Sequence, residues 1–325
     1  MNNLENQIYP VKSRKAGNLA KTKLFNRVHP VKSAIGGGSP LANQFNRVHP
    51  VKSRKTGILA KTKLFNRVNW LLQEKYLGNL TNKAKKDIKK LKAGEPVDYL
   101  IGFINFLDCK IDLSKKPLIP RIETEYWVGE VIYKLKIENQ NTKIKILDVF
   151  SGSGAIGIAI LKQISFARVV FADSEENCLK QIKINCRINK ISKNRYKIIK
   201  SDVFKNVNGK FDYIFTNPPY IPTKRINKIQ NSVLKYEPHI ALFGGEDGLF
   251  YIERFLTEAK SFINPRGPSL PVPSRLDGVR ASKIYMEFDS IQKKQIEKLL
   301  KKLNYKDYQF KRDQYKKWRY LCLDF

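Results

Sequence analysis

The chain has 325 residues, 42% of them hydrophobic, which is enough for a packed core and excludes wholesale disorder. It carries 62 Lys and Arg against 29 Asp and Glu, a formal charge of +33. A balance this basic suits polyanions such as RNA, ribosomes or DNA; it is also what an AT-rich genome writes by default through Lys, Asn and Ile. Four cysteines and three histidines, with no Cys-x-x-Cys pair, argue against a disulfide framework and against a bound metal. No run of about 18 apolar residues is present, and the first residues lack an apolar signal core. The expectation is a cytoplasmic chain, without membrane contact, in a reducing compartment.

Residues 1–68 stand apart. Residues 9–28 and 49–68 match at 17 of 20 positions, and residues 29–48 share both ends of the unit. This segment carries 14 Lys and Arg and a single acid, Glu5. Each unit has too few large apolar residues to bury a face against its neighbour, so a solenoid is not expected. A basic, disordered extension is expected instead, able to touch RNA or the ribosome through its charge.

Next, Trp70–Leu91 reads as one or two short helices, with an apolar stripe of Leu71, Leu72, Tyr76 and Leu77. Residues 94–120 shift to strand-like alternation and a Pro-bounded turn. From residue 144 strands and helices alternate. Strands are predicted at Ile144–Phe150, Arg168–Ala172, Tyr196–Lys200, Phe211–Thr216 and Lys283–Phe288. Helices are predicted at Ala155–Gln163, Ser174–Asn189, Gly248–Ile263 and Ile291–Leu303. Tyr305–Phe310 and Trp318–Asp324 close the chain as two strands with no helix between them. Residues 264–281, with four prolines and two glycines, read as a mobile insertion. The pattern predicts an α/β fold: a mostly parallel seven-stranded sheet with an antiparallel C-terminal hairpin, preceded by a short helical segment. That is the Rossmann-like class I methyltransferase arrangement.

The first parallel strand ends in Asp148-Val-Phe150-Ser151-Gly152-Ser153-Gly154 and runs into a helix. Small residues there let a ligand approach the backbone, and the helix N-terminus offers free N–H groups. Asp173, at the end of the second strand, can accept from both ribose hydroxyls of an adenosine. Asp202 can accept from an adenine amino group, and Val203 can pack on the ring. An acid at position 148 suits a cationic ligand such as S-adenosylmethionine, or it organises the loop through backbone hydrogen bonds.

Strand 211–216 runs directly into Asn217-Pro218-Pro219-Tyr220. Two prolines fix the chain and remove two N–H donors. The Asn217 amide oxygen and the Pro218 carbonyl can then accept both hydrogens of a planar –NH2 group while Tyr220 stacks on it. Such a clamp orients a poor nucleophile and favours charge build-up on nitrogen. Asn217, Pro218 and Tyr220 are therefore the candidate catalytic residues, and Asn217 also borders the cofactor site.

These motifs resemble the release-factor glutamine methyltransferases, the HemK/PrmC family. Residues 94–102 (GEPVDYLIG), 118–125 (LIPRIETE) and 237–249 (EPHIALFGGEDGL) match further blocks of that family in order. The resemblance implies residues 69–93 as a remnant of a helical N-terminal domain, 94–126 as a linker and 127–325 as the methyltransferase domain. It implies S-adenosylmethionine as cofactor and, as substrate, the glutamine of the Gly-Gly-Gln tip of class 1 peptide chain release factors. By position it assigns Phe150–Gly154, Asp173 and Val203 to the cofactor, and Asn217, Pro218, Pro219 and Tyr220 to the substrate, with Arg121 and Glu123 lining the approach. Phe150 stands where the family has a glycine, and Ile122 where it has a proline. A DNA adenine-amino methyltransferase and an inactive RNA-binding homologue are the alternatives.

Overall fold

The structure, a computed structural model, describes residues 58–139, 142–265 and 281–325. Residues 1–57 and most of the insertion expected at 264–281 lie outside the described residues. Three helices come first: α1 (Ile58–Tyr76), α2 (Asn82–Lys92) and α3 (Val97–Ile101). The Thr81 hydroxyl caps α2 by accepting from the Ala84 N–H at 3.1 Å. Ala84, Asp87 and Leu91 fall on one face of α2 and are buried. Asp87 accepts from the Lys75 ammonium at 2.8 Å and from the Tyr76 hydroxyl at 2.7 Å, which ties α2 to α1. Leu71, Leu91, Val97, Leu100 and Ile101 close a small apolar core. α1 begins at Ile58, so the boundary expected at residue 69 falls inside a helix that includes the end of the third repeat unit. Leu77, expected on the apolar stripe, is exposed, because it lies past the helix end with φ 52°.

β1 (Phe103–Phe106) and β2 (Cys109–Asp112) form an antiparallel hairpin. α4 (Ile122–Glu138) follows, so the linker expected to run to residue 126 is helical from 122 onward. Its buried positions, Trp127, Val128, Val131, Ile132 and Leu135, have helical spacing.

The main sheet contains β3 (Ile144–Val149), β4 (Ala167–Asp173), β5 (Tyr196–Lys200), β6 (Tyr213–Thr216), β7 (Lys283–Glu287), β8 (Tyr308–Arg312) and β9 (Trp318–Asp324) in the order β5-β4-β3-β6-β7-β9-β8. β5 through β7 are mutually parallel, and β9 and β8 form the antiparallel hairpin. The helices α5 (Ala155–Gln163), α6 (Glu176–Ile188), α8 (Phe250–Ala259) and α9 (Lys293–Lys302) connect the strands, with the short α7 (Asn231–Tyr236) in the loop after β6. Alternate residues of β3 enter two cores, Ile144 and Ile146 one, Leu147 and Val149 the other. β8 begins later than expected because Tyr305 is bound elsewhere, its hydroxyl donating to the Leu256 carbonyl at 2.7 Å.

Strand order reverses between β3 and β6, and at that point an open α/β sheet leaves a crevice beyond the strand ends. The register pairs Val149 with Thr216 and Thr216 with Met286. Phe150, Asn217 and Glu287 thus follow one another across the crevice. No helix among the described residues is long and apolar enough to cross a membrane.

Candidate active site

Parallel β3 and β4 deliver the loop 150–154 and Asp173 to the same edge. Ser151 stitches the loop to both strands: its hydroxyl donates to the Asp148 carbonyl at 2.7 Å and accepts from the Ala172 N–H at 3.0 Å. The Asn185 amide donates to the Ser153 carbonyl at 2.9 Å. Asp173 accepts from the Gly152 N–H at 2.8 Å with one oxygen and from the Glu175 N–H at 2.9 Å with the other. Burial raises the Asp173 pKa, against the pull of these two N–H groups. An added Cβ at Gly152 would meet nothing within 4 Å, whereas Gly154 packs on Ile182 and Ile158. Open space therefore lies directly over the Gly152 backbone, beside a carboxylate with lone pairs to spare. That combination fits the ribose and backbone-contacting parts of S-adenosylmethionine.

Asp148 does not face that space. It is 1% exposed and accepts from the Gly157 N–H at 3.1 Å, fastening the start of α5 beneath the loop. Of its two expected roles, the geometry supports loop organisation. Burial, with Asp173 nearby, pushes its pKa up to about 8. The folded state therefore holds the proton more tightly than the unfolded state, and stability falls as pH rises between about 4 and 8. Asp148→Asn keeps the acceptor and removes the titration. Denaturant unfolding of the variant is expected to lose this part of the pH slope, at most about 1.4 kcal/mol per pH unit, and to gain on the wild type toward pH 8.

Two residues expected at the cofactor have left-handed backbones: Phe150 with φ 56° and the buried, β-branched Val203 with φ 51°. Strain of this kind collects where a loop must hold a functional shape. Ser201 holds the second turn by donating to the Val203 carbonyl at 3.0 Å. The Phe150 ring meets Tyr251 edge-on at 5.4 Å. Phe150→Gly and Phe150→Ala both remove the ring, but only glycine relieves the backbone. The glycine variant is expected to be the more stable of the two by about 1 kcal/mol in urea unfolding, against the usual ranking. Asp202 departs from expectation. It is exposed and held by Arg254 of α8 through two 3.0 Å bonds, so an adenine amino group would have to share that carboxylate.

Across the crevice, the Asn217 amide nitrogen donates to the Thr124 hydroxyl oxygen at 3.4 Å. Thr124 in turn donates to Glu287 at 2.7 Å, and the Trp127 indole N–H donates to the same carboxylate oxygen at 2.8 Å. The other Glu287 oxygen accepts from the Tyr220 hydroxyl at 3.1 Å. The proton count fixes the amide. With its hydrogen on Glu287, the Thr124 oxygen can only accept, so Asn217 turns its –NH2 inward and its Oδ1 is left for the cleft. Burial raises the Glu287 pKa while Trp127, Thr124, Arg319 and Tyr220 oppose the rise. Burial and the Glu287 charge hold the Tyr220 phenol far above its ordinary value, so it stays a donor.

A cavity of about 60 Å³ is lined by Leu118, Arg121, Asn217, Pro218, Tyr220 and Ile221, and by Ala241 and Leu242 of the late loop. Three separate sequence blocks thus meet at one place. Arg121 is not a free cation: it pairs with the buried Glu237 at 2.8 Å. Glu237 overcomes the effect of burial and raises the guanidinium pKa. Glu237 also accepts from the Ile119 N–H at 3.2 Å, which locks the 118–125 block to the 237–249 block. Glu123 is half-buried in the first turn of α4 and lies outside the cavity lining. Pro219 is buried, and its carbonyl lies where a Cβ on Gly244 would go. The Gln292 amide donates to the Tyr220 carbonyl at 2.9 Å and to the Gly248 carbonyl at 3.0 Å. Thr124, Glu287, Gln292 and Arg254 are the site-supporting residues that sequence reasoning missed. Thr124 stood within a quoted block, whereas the others carried no local signal.

Residues 132–240 match the family described as Methyltransferase small domain. Over 197 residues the chain is 32% identical to the release factor glutamine methyltransferase of Lactococcus lactis, spanning 61% of this chain and 70% of that protein. The protein of the same name from Francisella tularensis is 35% identical over 190 residues, 58% of this chain and 65% of that one. Among solved structures, the hMettl16 catalytic domain bound to MAT2A 3'UTR hairpin 6 superposes with a TM-score of 0.50 at 13% identity, covering 67% of this chain and 76% of that chain, a likeness of fold alone. The sheet order, the two loops that meet at its switch point and the likeness to these relatives place the chain in the release factor glutamine methyltransferase family.

Proposed function

We propose that the protein transfers a methyl group from S-adenosylmethionine to the side-chain amide nitrogen of a glutamine, that of the Gly-Gly-Gln tip of a class 1 peptide chain release factor. The observation that carries this reading is the cavity lined by Asn217, Pro218 and Tyr220, with the Asn217 amide nitrogen engaged by Thr124 and its oxygen left to accept. The cofactor, when bound, supplies an electrophilic methyl carbon. Everything else falls to the chain. Asn217 Oδ1 and the Pro218 carbonyl accept the two N–H bonds of the carboxamide and stabilise positive charge as nitrogen forms its bond to carbon. Tyr220 covers the planar group and is itself held by Glu287 and Gln292. The amide would release its proton only after receiving the methyl group, so the residues lining the cavity need supply acceptors and no strong base. Gly152 and Asp173 would hold the nucleoside end, with the buried Asp148 beneath them.

The test is mass spectrometry of a release factor incubated with the protein and S-adenosylmethionine. The expected result is a gain of one methylene in mass, mapped by fragmentation to the glutamine of the tip and absent with Asn217→Ala. Transfer to adenine in DNA, or to no acceptor while the cofactor binds, would overturn the reading.

A further inference from the structure

Residues 180–200 contain Lys180, Lys183, Arg187, Lys190, Lys193, Arg195, Lys197 and Lys200 and no acid. The fold gathers part of this run around a second cavity. Lys183, Arg187, Lys190 and Lys193 line a space of about 760 Å³ together with Ile191, Tyr196 and Ile198. All four cations are exposed, and none has a carboxylate partner among the described residues. Lys180, by contrast, pairs with Glu176, and Arg195 is spent on the Ile164 and Ala167 carbonyls.

Two ordinary explanations cover only part of this. β5 is an edge strand of the sheet, and lysine on an edge guards against pairing with another chain, which accounts for Lys197 and Lys200. The other four lie off the strand. The C-terminus of α6 favours cations in its last turn, which accounts for Arg187. It accounts for neither Lys183, a turn earlier, nor Lys193, beyond the helix. Lys183 and Arg187 stand four apart on α6, where like charges disfavour the helix, and Lys190 follows in the left-handed turn just past its end. Their charge is thus gathered around one cavity without local compensation.

The floor between them is apolar. Ile191 is buried, Ile198 is half-buried, and the Tyr196 ring is held against Phe171 at 6.3 Å. A cationic rim around an apolar floor matches a nucleotide chain, with phosphates on the rim and a base against the floor. Arg187 adds a planar fork suited to phosphate oxygens. An acidic peptide would satisfy the rim and leave the floor uncovered. We infer that this cavity binds single-stranded RNA through its sugar-phosphate backbone. Parallel β5 begins at Tyr196, so the cavity sits at the starting ends of the strands, whereas Asn217 lies beyond the finishing end of β6. Methyl transfer and RNA binding therefore occupy opposite edges of the sheet, and the inference stands apart from the proposed reaction.

The experiment uses the full chain and a fluorescent oligouridylate, with anisotropy read over a range of salt. The combined variant Lys183→Gln, Arg187→Gln, Lys190→Gln, Lys193→Gln is expected to weaken binding about tenfold or more and to lower the log–log salt slope by about 3. The charge-matched control Lys294→Gln, Lys298→Gln, Lys301→Gln, Lys306→Gln alters exposed lysines elsewhere and is expected to leave the affinity nearly unchanged. In the unaltered chain, oligouridylate is expected to protect Lys183, Lys190 and Lys193 from acylation, a readout that needs no variant. Equal weakening by both quadruple variants would show binding by net charge alone and overturn the inference. So would the absence of protection, or competition by polyglutamate as effective as by RNA.

Discussion

Replacing Glu287 with leucine is expected to reduce methyl transfer about a hundredfold and to destabilise the fold by about 3 kcal/mol. The carboxylate is 1% exposed and takes three hydrogen bonds, from Thr124, Trp127 and Tyr220. Leucine fills a similar volume but accepts none of them, so three buried donors lose their partner at about 1–3 kcal/mol each, offset in part by removal of a buried charge. The catalytic loss has a distinct origin. Once Thr124 has no acceptor at 287, its hydroxyl can turn and donate to Asn217, and the amide then flips to present –NH2 to the cleft. A substrate carboxamide would meet donors where it needs acceptors. Glu287→Gln supplies an oxygen for Thr124 and Trp127 and a nitrogen toward Tyr220, and it is expected to recover most of the activity. Turnover measured beside thermal unfolding separates the two effects: a merely structural residue would lose stability and activity together in both variants.

Gly248→Ala is expected to cost about 2–4 kcal/mol and up to about a hundredfold in turnover, although residue 248 does not line the cavity. Gly248 has φ +81°, and a Cβ there would collide with the Tyr220 carbonyl oxygen and crowd the Gln292 amide that clamps the two loops together. The backbone of Tyr220 would have to shift, taking the ring with it. Gly94→Ala is the control. Gly94 also has a positive φ, +97°, but its Cβ would meet nothing within 4 Å. That variant should show only the left-handed backbone penalty, about 1 kcal/mol, and normal turnover. Thermal melts and steady-state rates on the two variants test the argument; equal behaviour would contradict it.

The alternation of buried strands and helices was legible because the central β-strands of the parallel sheet are short apolar runs between turn residues. The site loops were legible for a related reason: Phe150–Gly154 and Asn217–Tyr220 each follow such a strand directly. What remained hidden depends on distance along the chain. Thr124 and Glu287 are 163 residues apart, and Arg121 and Glu237 are 116 apart, so no spacing rule links them. Arg254 similarly reaches Asp202 across 52 residues, which is why Asp202 read as a free acceptor. Asp148 was ambiguous because a carboxylate at a strand end serves a ligand or a helix start equally well by sequence; only its burial against Gly157 decides between them. Helix α4 has apolar spacing, but its first turn lies inside the 118–125 block, where the expected linker to residue 126 overlaps it.

The most direct measurement is the rate constant for methyl transfer in a single turnover, at saturating S-adenosylmethionine and release factor, with Asn217→Ala. Saturation removes any contribution from binding and isolates the amide oxygen. The rate is expected to fall by about 10²–10³-fold. A rate close to that of the unaltered protein would contradict the claim that the Asn217 oxygen holds the reacting carboxamide.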